Sequence, residues 1–173
     1  MVTGGKSEVR KRAVQSSSGK IVKKVWIRAS THTVYSALTQ SRELTNWFCD
    51  RASCDPREGG ELAAYWRAAG QKGRAVITHI VPESAIELLW IDDGSGRQEK
   101  NIHTLTYEIR SKSGVTELVM TDKDEACDDD TIATLDQGWN SVLMELKDYC
   151  EQKERAAKVR PHSKSRLRES DPD

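Results

Sequence analysis

Residues 131–149 restrict how this chain can fold more than any other stretch. The apolar residues Ile132, Leu135, Trp139, Val142, Leu146 and Tyr149 follow one another at steps of three, four, three, four and three, which puts them on one stripe of an α-helix. Asp136, Asn140, Glu145, Lys147 and Asp148 take the opposite side. Burying six such side chains is worth roughly 10–15 kcal/mol before the entropy of ordering is subtracted. A lone helix cannot collect that, so the stripe needs a broad apolar surface to lie on. The sequence offers one, a series of strand-like segments between Ile21 and Thr121.

Taken in order, residues 21–28 are rich in β-branched and aromatic side chains and read as a first strand. Ser30 or Thr31 supplies a capping oxygen for a short helix through Val34, Tyr35 and Leu38, and Ser41 caps a second through Leu44 to Trp47. Gly59 and Gly60 mark a tight turn, after which residues 61–68, 72–81, 85–91, 102–110 and 115–121 alternate as strands. Asp92-Asp93-Gly94-Ser95-Gly96 is a loop by composition, and residues 111–114 turn the last two strands into a hairpin. The plan is α+β: a curved antiparallel sheet of about six or seven strands wrapped on a long C-terminal helix, with two short helices after the first strand.

At 173 residues the chain suits a single domain, expected over residues 20–153, between a disordered basic arm at 1–19 and a disordered basic tail at 154–173. The 27 basic and 27 acidic residues cancel, so no global field points to nucleic acid or an anionic membrane. No apolar run reaches the roughly 18–20 residues of a membrane span, and residues 1–20 lack the apolar core of a signal peptide; a cytoplasmic protein is expected. Cys49, Cys54, Cys127 and Cys150 show no paired spacing and read as reduced thiols, with no metal and no cofactor implied. Residues 122–130 hold six acids against one lysine, a composition that favours the positive end of a following helix.

Tryptophan outnumbers phenylalanine five to one. Trp47 and Trp139 fall on helix faces and read first as core, whereas Trp66 and Trp90 are the better candidates for lining a pocket, where an indole offers a flat apolar face and one N–H donor. His79, between Ile77 and Val81, reads as a polar anchor, a general acid or base, or a hydrogen-bonded structural residue; His32 and His103 read as surface positions. Arg67 and Arg74 are placed to clamp a carboxylate or to pair with Glu61 or Glu87. The expected ligand-binding set is Trp66, Trp90, His79, Ile77 and Leu88 from the strands before residue 92. Tyr107, Met120, Trp139 and Leu143 complete it. No catalytic residue is assigned.

Four pieces of the sequence carry a resemblance: Trp47 closing the second short helix; Asp55-Pro56-Arg57-Glu58-Gly59-Gly60; Gly73-Arg74-Ala75-Val76 with Ile80-Val81-Pro82 and Trp90; and Gly138-Trp139 followed by Val142-Leu143, Leu146 and Tyr149. In this order the chain resembles the activator of heat-shock protein 90 ATPase homologue family of the START-like (SRPBCC, birch-pollen-allergen-like, helix-grip) superfamily. The resemblance implies a cavity between concave sheet and C-terminal helix, which the superfamily uses for lipids, sterols and polyketides. It therefore implies first a non-catalytic module, monomer or weak dimer, that holds a small hydrophobic or amphipathic ligand. The alternative is a protein-interaction domain acting on a chaperone ATPase in a stress response. It ranks second because such activators carry a separate N-terminal chaperone-binding domain and only a short arm stands here before the first strand. A cyclase or hydrolase using His79 is the third.

Overall fold

In the computed structural model, which describes residues 19–91, 102–124 and 129–159, the alternating segments form one seven-stranded antiparallel sheet with the periodic stretch as a long helix against it. The elements are β1 (Gly19–Ile27), α1 (Thr31–Thr39), α2 (Ser41–Trp47), β2 (Arg51–Cys54), β3 (Glu61–Trp66), β4 (Gln71–Val81), β5 (Ala85–Ile91), β6 (Ile102–Lys112), β7 (Val115–Asp124) and α3 (Asp129–Val159). Strands β2 to β7 meander from neighbour to neighbour, and β1 adds outside β7, giving the order β1-β7-β6-β5-β4-β3-β2. The register aligns Val25 with Leu118, Tyr107 with Met120, Leu88 with Leu105 and Ile77 with Leu88, so one face of the sheet is mostly apolar. Ile27, Ile77, Ile86, Leu118, Met120 and Leu146 are almost wholly buried there.

The two short helices form where the caps predict, with one exchange of roles. Ser30 accepts from the Thr33 amide at 3.1 Å and opens α1. At α2 the capping position is Gln40, without a side-chain bond, while Ser41 Oγ accepts from the Cys54 amide at 2.9 Å. Ser41 thus satisfies a donor of β2, an edge strand that sequence reading missed because Arg-Ala-Ser-Cys carries no β-branched or aromatic residue; pairing with β3 holds it in place. The turn after it is drawn tight onto β4. Gly59 donates to the Ile77 carbonyl and Ile77 donates to the Gly60 carbonyl, both at 2.8 Å, and a Cβ on Gly60 would stand 2.0 Å from the Asp55 carbonyl oxygen.

The long helix runs farther than the stripe suggested. Beyond Tyr149 the sequence allows helix to about Ala157, although the domain is drawn to 153; α3 runs to Val159, and charged groups along it find partners on α1, on α2 and just after β1. Glu151 accepts from the Arg28 amide and from Lys147, Glu154 from Thr33 Oγ1 at 2.9 Å and the Ser30 amide at 3.3 Å, and Glu43 of α2 from Tyr149 Oη and Lys153. Leu143, Leu146 and Cys150 are buried, whereas Ile132, Leu135 and Trp139 are half-buried, so the C-terminal half of the helix is sealed more tightly than the N-terminal half. Asp122 and Asp124, counted among the acids leading into the helix, instead belong to β7 and are 2% and 4% exposed. Residues 1–18, 92–101, 125–128 and 160–173 lie outside the described residues, and with them the loop expected at Asp92 to Gly96 and Cys127. Among the described residues no helix is long and apolar enough to cross a membrane.

These carboxylates make stability acid-sensitive. The hydrogen bond from Lys147 holds Glu151 below the usual glutamate range, and that from Thr33 does the same for Glu154, against the smaller opposing effect of burial. A carboxyl group whose folded pKa is depressed contributes fully above its unfolded value of about 4.3, and the contribution disappears as pH falls through the lower folded value. The thermal midpoint is expected to fall on acidification through that window, and the Glu151→Gln/Glu154→Gln variant to fall less steeply. Melting curves across pH check this; equal slopes would show that these bonds do not set the acid response.

Candidate functional site

Gly73 of β4 is where the concave face changes character. A Cβ there would lie 2.8 Å from Cζ3 of Trp90 and 3.1 Å from Cζ3 of Trp66, so the indoles of β5 and β3 lean over the glycine from its two sides. The missing side chain makes room for both rings. Trp66 Nε1 donates to the Phe48 carbonyl at 2.7 Å, and the Phe48 ring meets the Trp66 indole edge-on, with centroids 5.1 Å apart. Phe48 in turn contacts Trp47 at 5.2 Å, whose Nε1 donates to the Ala37 carbonyl at 3.0 Å. On the other flank Trp90 neighbours His103 at 6.5 Å. The band reaches from α2 across three strands, and Trp47, Phe48, Trp66 and Trp90 are all half-buried.

A single polar centre closes the band towards α3. Asp122 Oδ1 lies 2.9 Å from His103 Nδ1, and Oδ2 accepts from Trp139 Nε1 at 2.8 Å. Two donors compensate a carboxylate with 2% exposure. A carboxylate oxygen accepts, so His103 donates from Nδ1, and Nε2 is the ring's remaining hydrogen-bonding atom. Tyr107, buried beside them, has its phenol pushed far above the ordinary range by burial and then by the Asp122 charge, and stays neutral. The arrangement offers broad flat apolar contact with one hydrogen-bonding position. Next to it, Gly19, Ile21, Asp122, Asp124, Ile132 and Leu135 enclose a cavity of about 10 Å³, room for one water.

The residues expected from sequence distribute unevenly around this centre. Trp66, Trp90 and Trp139 are in the band, half-buried. Ile77, Leu88, Tyr107 and Met120 form the sheet beneath, at 5% exposure or less, and Leu143 is buried on α3. His79 is elsewhere. A register shift between Ile77 and His79 turns it to the outer face, more than half exposed, with Nδ1 3.0 Å from Glu58 Oε1. His103, read as a surface position, faces inward, paired with Asp122. Its signal was present in the sequence, since it shares the alternation of Leu105, Tyr107 and Ile109. Phe48, Gly73 and Asp122 were likewise missed.

Other chemistry at this face is restrained. Among the described residues no group of three or more His, Cys, Asp or Glu is disposed to hold a metal ion. Cys49, Cys54 and Cys150 are free; burial, then the Asp55 charge, pushes the Cys54 thiol up to about 11, and burial takes Cys150 up to about 12. Thiols so disposed are poor nucleophiles.

Gly73→Val is expected to force the two indoles apart at an overpacking cost of about 1–3 kcal/mol. The indole N–H resonances of Trp66 and Trp90 should move while that of Trp26 on the outer face stays in place. An unchanged spectrum would mean that the glycine does not set the spacing of the rings.

The sequence matches the family described as Activator of Hsp90 ATPase homolog 1-like protein over residues 28–151. Among solved structures the fold is similar to protein MLL2253 from Mesorhizobium loti, at 14% identity over 77% of this chain and 97% of that chain, with a TM-score of 0.67. It is similar to the Aha1 dimer from Colwellia psychrerythraea, at 20% identity over 76% and 96% of the two chains and a TM-score of 0.66. PFC0360w, an HSP90 activator from Plasmodium falciparum, is 20% identical over 61% and 72%, with a TM-score of 0.51. At these identities the likeness is one of fold. The search of curated proteins gave no match.

Proposed function

The chain belongs to the Activator of Hsp90 ATPase homolog 1-like protein family, matched over residues 28–151, and on that footing we propose that it is a non-catalytic binding protein for a small, flat, mostly apolar molecule with one hydrogen-bonding end. The observation that supports this most is the pair of half-buried indoles, Trp66 and Trp90, spread over the side-chain-free position Gly73. A core built only for stability gains by covering such rings completely. The pair formed by His103 and Asp122 supplies the one polar anchor, and the buried sheet residues Ile77, Leu88, Tyr107 and Met120 hold the band's floor rigid. Native mass spectrometry of the purified chain, with tryptophan fluorescence across a panel of lipids and aromatic acids, tests the reading. A bound mass or a saturable fluorescence change supports it; neither, from folded protein, rejects it.

A second reading takes the chain as a protein-interaction module that stimulates a chaperone ATPase of the heat-shock protein 90 type. Its support is family membership together with two similar folds described as an Aha1 dimer and an HSP90 activator. Cytoplasmic residence, a part in a stress response and weak self-association go with this reading. Co-elution with the chaperone and a raised ATPase rate would carry it; absence of both would remove it. A hydrolase or cyclase working through His79 draws no support from a histidine on the outer face paired with Glu58.

A further inference from the structure

We propose a second ligand site on the opposite, outer face of the sheet, for a phosphate monoester that carries a flat apolar group. The side chains of β2, β3 and β4 that point away from α3 line a groove of about 710 Å³, within the roughly 300–1,000 Å³ typical of small-molecule sites. The strand register fixes its layout. Arg51, Tyr65 and Lys72 stand side by side in one row across the three strands, and Ser53, Ala63 and Arg74 form the next; Arg67 follows just beyond the end of β3.

The charges decide what the groove is suited to. Arg74 is neutralised by Glu61 at 2.6 Å, but Arg51, Arg67 and Lys72 make no ion pair among the described residues. Asp50, the nearby acid, accepts instead from the Arg67 backbone amide at 2.7 Å. In a chain whose charges sum to zero, three uncompensated cations around one groove are a local segregation, and each raises the electrostatic cost of the others. A carboxylate would leave most of that repulsion in place. A phosphate monoester carries close to two negative charges near neutral pH and presents several acceptor oxygens to guanidinium forks and an ammonium. Tyr65, between Arg51 and Lys72, gives its ester group a ring to lie on, and Ala63 leaves that neighbourhood shallow. The site is separated from the aromatic band by the sheet itself, so each can exist without the other.

The test is an NMR titration of the full chain, following backbone amides, with phenyl phosphate, inorganic phosphate and phenol at constant ionic strength. Phenyl phosphate is expected to shift residues 51–53, 63–67 and 72–74 saturably and more tightly than inorganic phosphate, with phenol silent there. The Arg51→Glu/Lys72→Glu variant, checked for folding by circular dichroism, should weaken binding by at least about tenfold, with Arg51→Gln/Lys72→Gln as the milder substitute if the reversal misfolds. Tyr65→Ala should reduce phenyl phosphate to the level of inorganic phosphate. The proposal is overturned by no saturable shift, by shifts spread over all exposed basic residues, or by indifference to the charge changes. A single-stranded oligonucleotide that occupies the same residues more tightly than phenyl phosphate would also overturn it and assign the groove to nucleic acid.

Discussion

Leu146→Ala is expected to destabilise the fold by about 3–5 kcal/mol, towards the upper end for a leucine truncated in a packed interior. Leu146 has no exposure, and its neighbours on α3, Leu143 and Cys150, are buried with it against the sheet and the short helices. A change of this size is a large share of the roughly 5–15 kcal/mol that separates folded from unfolded domains, and should lower the thermal midpoint by roughly 10 °C. Urea denaturation with an unchanged slope is the check. The same truncation at Leu135, half-buried on the same helix, should cost clearly less. Equal costs would show that α3 is sealed evenly along its length.

Asp122→Ala is expected to cost about 2–4 kcal/mol, because it leaves the His103 and Trp139 donors without their acceptor in a buried setting. Removing an acceptor costs more than the net worth of the bonds it made, since both former partners remain desolvated. Asp122→Asn keeps an oxygen for one donor and should cost less than the alanine change. The indole N–H resonance of Trp139 reports the difference directly: it should move in both variants, and farther in Asp122→Ala. Stability close to wild type with that resonance in place would mean that Asp122 is not the centre holding β6, β7 and α3 together.

How far the sequence led depends on which physical signal each part carries. The strands and α3 were legible because their hydrophobic repeats, two and near 3.6 residues, differ and persist over long stretches. β2 was not, since four residues of weak β-propensity acquire their conformation from the strand beside them. The partners that hold the end of α3 were hidden for a similar reason. Glu151 and Glu154 look like solvent-facing charges until β1 and α1 bring backbone amides to them.

The two histidines show the sharper limit. His79 and His103 both sit in alternating stretches, and alternation alone would turn both inward. One extra residue in β4 reverses the facing of everything after it, and no feature of Thr78-His79 announces the bulge. Asp122 was concealed by its company, a run of acids that reads as loop, although it keeps step with Leu118 and Met120. Trp66 and Trp90 stood out in the sequence because tryptophan is large and unusually frequent here. Gly73, which arranges them, carries no side chain to notice.

The central claim is that the half-buried aromatic band on the concave face receives a ligand, and the five indole N–H resonances test it most directly. Titrated with the panel compound that perturbs fluorescence most, Trp66, Trp90 and Trp139 should shift together and saturably. Trp26, 41% exposed on the outer face beside Lys112, should not respond. Shifts confined to Trp26, or none at any indole across the whole panel while the protein stays folded, would contradict the account.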